Sequence, residues 1–310
     1  MSRAGTLGRV LVTGATGFLG AYVALALVEA GFAVRALDLA PRRERLDALR
    51  PGLGEDCECV AADVAGDPDA VRRAAQGCVG VVHLAGVMTV DCMHDPVRAA
   101  RVNLLGGQAV VAAAQAAGVA RFVYASSAAV YGAGADGTPR PETLYGVHKL
   151  ALEGMAACAW RDGGLASIGF RPAIVYGMGE SAGIAAGPSV ALRAAARGKT
   201  ARIGFSGRIG FVHADDVALA MRAALSDAPA EGASVCDLNG ETASVADFVT
   251  TLLAERPGAR VSIEGPPLRC PETLTGGDRP SWLARRPVTP ISDGIRRTLA
   301  AWDARRAVTA

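Results

Sequence analysis

The sequence predicts an α/β fold built on a doubly wound parallel sheet. Two patterns carry that prediction: short, continuously apolar runs recur between helical stretches, and a glycine-rich turn directly follows the first of them. With 310 residues, 51% apolar and 20% charged, the chain is also large enough to bury a substantial core. Strands covered by helices on both faces read as unbroken apolar runs, because neither face meets water.

Residues 10–13 (Val10, Leu11, Val12, Thr13) form the first strand, followed by a glycine turn and a helix over 18–30 that stops at Gly31. Residues 33–38 are the second strand, and a charged helix begins near Pro41. Runs at 58–62, 79–84, 121–125 and 166–170 repeat the pattern with helical segments between them. Beyond about Arg171 the regularity weakens: helices are predicted at 188–197, 214–225 and 245–255, strands at 201–205, 234–238 and 261–264. Proline and glycine then thicken between 265 and 290, as in a looped cap.

Composition narrows the function. The 38 glycines, about 12% of the chain against roughly 7% on average, follow no three-residue period, so they mark particular backbone positions. Thirty-two basic and 30 acidic residues, net +2, supply no field for a nucleic acid. No apolar run reaches the roughly 18 residues a membrane span needs, so no membrane partner is expected. The seven cysteines, at 57, 59, 78, 92, 158, 236 and 270, read as scattered reduced thiols of a cytoplasmic protein, with no metal site.

Four constellations carry chemistry. In Thr13-Gly14-Ala15-Thr16-Gly17-Phe18-Leu19-Gly20, strand passes through a tight turn into helix. Gly14 permits the turn, Gly17 lets backbone approach a diphosphate, Gly20 lets helix and strand pack closely, and the helix start offers free amides to phosphate oxygens. The spacing is one residue wider than the common dinucleotide fingerprint. Asp38, ending the second strand, stands where a carboxylate accepts hydrogen bonds from an adenosine ribose and repels a 2′-phosphate, which favours NAD over NADP. Arg42 and Arg43 follow closely and leave a phosphate site open. Asp63 and Val64 fall to the adenine region, and Leu84, Ala85 and Gly86 to the cofactor wall. Tyr145 and Lys149, four apart on a helix, share one face, where an ammonium lowers the phenol pKa from about 10 towards use as an acid/base. Ser126 and Ser127 end the fifth strand, where open α/β sheets bind ligands. The fold is thus a Rossmann sheet over residues 1–170. Residues 171–310 are mainly a smaller, irregular substrate-binding cap, with about 206–238 returning to the sheet.

This order of motifs resembles the extended short-chain dehydrogenases/reductases, in particular the NAD-dependent epimerase/dehydratase family. The resemblance implies Ser127 as the catalytic hydroxyl, Tyr145 and Lys149 as the catalytic pair, and Asn103, in Val102-Asn103-Leu104-Leu105-Gly106, as support for the lysine through water. The segment Arg171-Pro172-Ala173-Ile174-Val175-Tyr176-Gly177 resembles the stretch bordering nicotinamide and substrate. The residues and the resemblance together place NAD against Gly14, Thr16, Gly17, Phe18, Leu19, Gly20, Asp38, Asp63, Val64, Leu84, Ala85, Gly86, Asn103, Ala125, Tyr145, Lys149, Arg171, Pro172 and Ile174. Ser126, Arg171, Arg208 and His213 are the candidate substrate contacts.

Departures from the family pattern narrow it further. Ala128 and Ala129 stand where water-eliminating members carry acids, and residues 173–175 lack the asparagine with which nucleotide-sugar epimerases meet a diphosphate. The resemblance therefore implies hydride transfer between NAD and a secondary alcohol or ketone of a small polar substrate, a sugar, sugar acid or hydroxy acid. The alternatives are a UDP-hexose C4 epimerase that retains its NAD and a non-catalytic dinucleotide sensor. Family members dimerise through helices corresponding to residues 96–117 and 144–160, both rich in alanine, so a homodimer is expected.

Overall fold

The structure, a computed structural model, describes residues 7–134, 136–229, 231–277, 280–286 and 288–309. In chain order the strands are β1 (Arg9–Thr13), β2 (Ala33–Asp38), β3 (Cys57–Ala61), β4 (Cys78–His83), β5 (Arg121–Ala125), β6 (Ser167–Pro172), β7 (Ile174–Tyr176), β8 (Thr200–Ile203), β9 (Arg208–His213), β10 (Ala233–Leu238), β11 (Glu241–Ser244) and β12 (Arg260–Ile263). Seven of them form one sheet in the order β10-β6-β5-β4-β1-β2-β3, every pair parallel. Strand order reverses between β1 and β4, which opens a crevice at their carboxyl ends. Thr13 pairs with both Leu37 and His83, so the ends of β1, β2 and β4 are level there.

The continuous apolar runs are explained by a core on each face. Val10 and Val12 of β1 pack with helices Phe18–Glu29 and Ala214–Ser226 on one side. Leu11 points the other way, to helices Pro68–Ala75, Gly107–Ala116 and Leu144–Gly163. All three valine and leucine side chains are fully buried.

The remaining strands make a second lobe. β9 is the middle of a three-stranded sheet with β7 and β11, and β8 pairs with β12. Its core gathers Tyr176, Phe211, Phe248, Leu252 and Trp302. Within the segment expected to return to the main sheet, β10 and helix Ala214–Ser226 do so, whereas Arg208–His213 belongs to the small sheet. The charged helix near Pro41 is only Arg43–Asp47. The last helix, Ile291–Thr309, has no counterpart in the sequence prediction, although Ile291, Ile295, Leu299 and Trp302 are spaced for one helix face and are buried.

Candidate active site

The glycine turn is set by contacts no side chain could share. Gly14 has φ +69, and a Cβ there would lie 2.7 Å from the Ala85 amide nitrogen. A Cβ on Gly20 would lie 2.1 Å from the Gly14 carbonyl oxygen, so the helix can start this close to the turn only with hydrogen at that position. No side chain caps helix Phe18–Glu29, which leaves its first amides for an outside acceptor. Thr16 is tied to the end of β2, its amide (3.0 Å) and hydroxyl (2.7 Å) both donating to Asp38 Oδ2. Phe18 packs edge-on against Tyr22, and Leu19 lies against the same core.

Eight of the expected cofactor residues, Gly14, Gly17, Asp38, Asp63, Val64, Leu84, Ala85 and Gly86, line one groove of about 660 Å³. The β4 side of the groove is pinned by Thr13, whose hydroxyl accepts the Leu84 and Ala85 amides (3.3 Å each) and faces His83 Nδ1 at 2.7 Å. Burial, reinforced by the Lys149 charge, pushes His83 down to about 3, so the neutral ring accepts the threonine proton. Arg98 and Arg101 also line the groove. Sequence reasoning passed over them, although two basic residues three apart on the segment after β4 face the crevice by helical spacing.

At the other end of the groove the reacting groups converge. Ser127 continues from the end of β5 in extended backbone, its Oγ accepting the Ala129 amide at 3.1 Å. Tyr145 and Lys149 are each 7% exposed on helix Leu144–Gly163. Lys149 Nζ donates to the Ala125 carbonyl at 2.7 Å and lies 5.6 Å from the Tyr145 ring centre. Burial decides the tyrosine's acidity: it pushes the phenol up to about 12, against a hydrogen bond with Ser127 that pulls it down. The Lys149 ammonium is itself stripped of water and pulled down to about 8, so it has lost its charge by the pH at which a phenol held near 12 ionises, and burial outweighs the lowering expected from sequence.

Asn103 sits in a π-helical turn, Arg101–Gly106, a distortion common at functional sites. Its Oδ1 accepts the Val87 amide (2.8 Å) and its Nδ2 donates to the Val87 carbonyl (3.0 Å). A Cβ on Gly86 would lie 3.0 Å from Asn103 Oδ1 and 4.0 Å from Lys149 Nζ, so asparagine, lysine and the loop after β4 meet at one point.

Several expected contacts fall elsewhere. Ser126, 2% exposed, donates to Glu153, and Arg171, 6% exposed, forks onto the same carboxylate, so both are engaged in buried contacts. His213, 2% exposed, lies between the Tyr22 and Tyr176 rings, its Nε2 3.2 Å from Thr298 Oγ1. Ile174 contributes its side chain to the core of the second lobe. Pro172 closes β6 opposite Leu238, and Arg208 is exposed, 3.5 Å from Glu272. Glu153, the hub of this buried cluster, was missed in the sequence although it follows Lys149 by one further helical step.

A seven-stranded Rossmann sheet with a glycine loop at its switch point and a serine, tyrosine and lysine beside it defines an extended short-chain dehydrogenase/reductase. The model of the NAD dependent epimerase/dehydratase family matches residues 10–236, and the chain belongs to that family. A 2-alkyl-3-oxoalkanoate reductase of Stenotrophomonas maltophilia is 30% identical over 269 residues, 82% of this chain and 77% of the reductase. A dihydroflavonol 4-reductase of Hordeum vulgare is 29% identical over 77% of this chain and 73% of its own length. Among solved structures, the UDP-glucose 4-epimerase of Thermus thermophilus in complex with NAD is similar at TM-score 0.80 and 26% identity, covering 95% of this chain and 98% of that one. The family's cofactor is NAD, and the groove fits it: glycine positions that a Cβ would fill, uncapped amides at a helix start, and a carboxylate at the end of β2.

Proposed function

We propose that the protein is an NAD-dependent oxidoreductase that interconverts a secondary alcohol and a ketone. The observation that carries this reading is the meeting of Ser127, Tyr145 and Lys149 at the carboxyl end of β5, with Lys149 Nζ beside Gly86 of the groove. Gly14, Gly17 and the first amides of helix Phe18–Glu29 would hold the diphosphate of NAD, Asp38 the adenosine ribose, Asp63 and Val64 the adenine side, and Tyr145 and Lys149 the second ribose. NAD supplies the hydride acceptor at its nicotinamide ring, and NADH the donor. Ser127 holds the substrate oxygen by a hydrogen bond. Tyr145 takes the hydroxyl proton in oxidation and returns it in reduction, so each turnover moves one hydride and one proton. A phenol held near 12 stays protonated at neutral pH, the form that ketone reduction requires of a proton donor.

The substrate class proposed here differs from the small polar molecule expected from sequence. Ser126, Arg171 and His213 are committed to buried contacts, which leaves recognition centred on the reacting oxygen. Met88 and Ile184 are 37% and 44% exposed, and a Cβ on Gly183 would lie 3.6 Å from the Met88 Cβ, so two loops beside the site offer apolar surface. A ketone or alcohol on a mainly apolar frame, such as a 3-oxo or 3-hydroxy acyl compound, fits that surface, and the curated relatives carry reductase names. A UDP-hexose C4 epimerase is the second reading, favoured by the full-length likeness to an epimerase at 26% identity. Incubation of the pure protein with NADH and a panel of 3-oxo esters, cyclic ketones, sugars and uronates separates them. Loss of NADH absorbance with the apolar ketones supports the proposal; silence across the panel together with conversion of a UDP-hexose overturns it.

We also propose a homodimer. Met93 (71% exposed) and Val97 (65%), on the segment after β4, and Leu144 (47%) and Val147 (45%), on the tyrosine helix, present apolar surface that a second copy would cover.

A further inference from the structure

Three consecutive residues at the end of β5 are gripped by one face of one helix. Tyr145 faces Ser127, Lys149 donates to the Ala125 carbonyl at 2.7 Å, and Glu153 accepts the Ser126 hydroxyl. Their four-residue spacing puts all three on that face, where they are 7%, 7% and 8% exposed. Glu153 takes no part in the proton transfer, yet it is the most heavily bonded of the three. Arg171 donates Nε to its Oε1 at 2.8 Å and Nη2 to its Oε2 at 2.6 Å. Arg171 Nη1 in turn donates to the Tyr131 hydroxyl at 2.6 Å, and Tyr131 donates to Asp237 Oδ1 at 2.9 Å. Asp237 Oδ2 accepts the Gly277 amide at 3.1 Å, so the chain of contacts runs from the catalytic strand across β6 to the edge strand β10 and the loop beyond it.

A buried ion pair is poor evidence of net stability, because two charges lose their water; what it supplies is fixed geometry and a fixed charge. We propose that Glu153 is a positioning residue of the hydride-transfer site: clamped by Arg171, its carboxylate sets Ser126 and so the Ser127 hydroxyl, and serves as the buried counter-charge of Lys149. Tyr131 and Asp237 hold Arg171 from the far side. The other titratable groups facing Lys149 are Tyr145 on its own helix, Cys92 on helix Thr89–His94 and His83 on β4. His83 stays neutral, and Cys92 opposes the loss of the lysine proton only as thiolate, a form that burial disfavours. Glu153, held by Arg171, is the carboxylate among the charged groups near Lys149.

The kinetic part of this proposal rests on the oxidoreductase reading; the binding part does not. NADH fluorescence titrations would be run on the full chain near pH 6 and near pH 8, for wild type, Glu153→Gln and Ser126→Ala. Glu153→Gln should bind NADH within about twofold of wild type near pH 6 and about fivefold more weakly near pH 8, because Lys149 then loses its proton about one pH unit earlier. Ser126→Ala should bind NADH normally at both values while kcat falls about tenfold at constant KM. Where Glu153→Gln does not fold, Ser126→Ala, which leaves the Glu153–Arg171 pair intact, still decides the positioning role. Equal weakening at both pH values would mark a purely structural role and overturn the proposal, as would unchanged affinity or an unchanged kcat in Ser126→Ala. A wild type that reduces no ketone sinks the oxidoreductase reading instead, while the titrations still decide the role of Glu153.

Discussion

Tyr145 and Lys149 sit one turn apart, and burial moves them in opposite directions, the phenol up to about 12 and the ammonium down to about 8. Each is thereby favoured in its neutral form, since the charged form is the one that loses water. Ketone reduction needs the phenol protonated and the lysine cationic. The first condition holds across the neutral and mildly alkaline range, and the second is lost as pH rises through about 8. The expected kcat/KM for ketone reduction is accordingly flat below that value and declines above it, in a profile that a stopped-time NADH assay across pH would trace; a decline only near 10 would mean that the lysine keeps its ordinary acidity. That Ser127, Tyr145 and Lys149 come together was legible from their order along the chain. Their electrostatics were not, because spacing shows that two groups are near each other and does not show how little water they share. Ser126 and Arg171 mislead for a related reason: each stands beside a motif residue, and only the positions of Glu153 and Tyr131 reveal that both turn inward.

The glycine turn and the helix after it were readable as a unit, since the strand, the turn residues and the apolar helix each make local physical sense there. The cost of disturbing it is correspondingly local. In Gly20→Ala the new methyl would lie 2.1 Å from the Gly14 carbonyl oxygen, so the helix must back away from the turn. Overpacking of this kind costs about 1–3 kcal/mol. Thermal melting of the variant should show that loss, and NADH titration should show affinity reduced about tenfold or more as the amides leave their places; a variant as stable and as tight-binding as wild type would mean that Gly20 is not the close contact described. Other elements were less legible. β7 and β9 are short strands whose partners lie far along the chain, Ile174 pairing with Phe211 and Thr242 with Gly210, so no local pattern announces their sheet. The helix Ile291–Thr309 carries four arginines and one buried stripe, and its polar surround hid the stripe. The π-turn Arg101–Gly106 that carries Asn103 has the composition of an ordinary helix.

For the whole molecule, the two lobes divide the work: the seven-stranded sheet builds the cofactor groove, and the second lobe brings the loop of Met178 and Ile184 to its side. Among the described residues no helix is long and apolar enough to cross a membrane, and the segment after β4 and the tyrosine helix expose apolar residues that a partner would cover. A second copy is the proposed one. Sedimentation analysis should give a dimer for wild type and a folded monomer for Met93→Glu/Val97→Glu, with the melting temperature little changed because both side chains are exposed in the single chain; a wild-type monomer would discard the dimer without touching the active site. The measurement closest to the central claim is the behaviour of Tyr145→Phe, which removes one oxygen from the site and keeps the ring. NADH binding retained and weakened by at most about tenfold, with ketone reduction slowed by about 10²–10⁴, is the predicted result. Turnover as fast as wild type would contradict the assignment of Tyr145 as the proton donor and, with it, the chemistry proposed for this site.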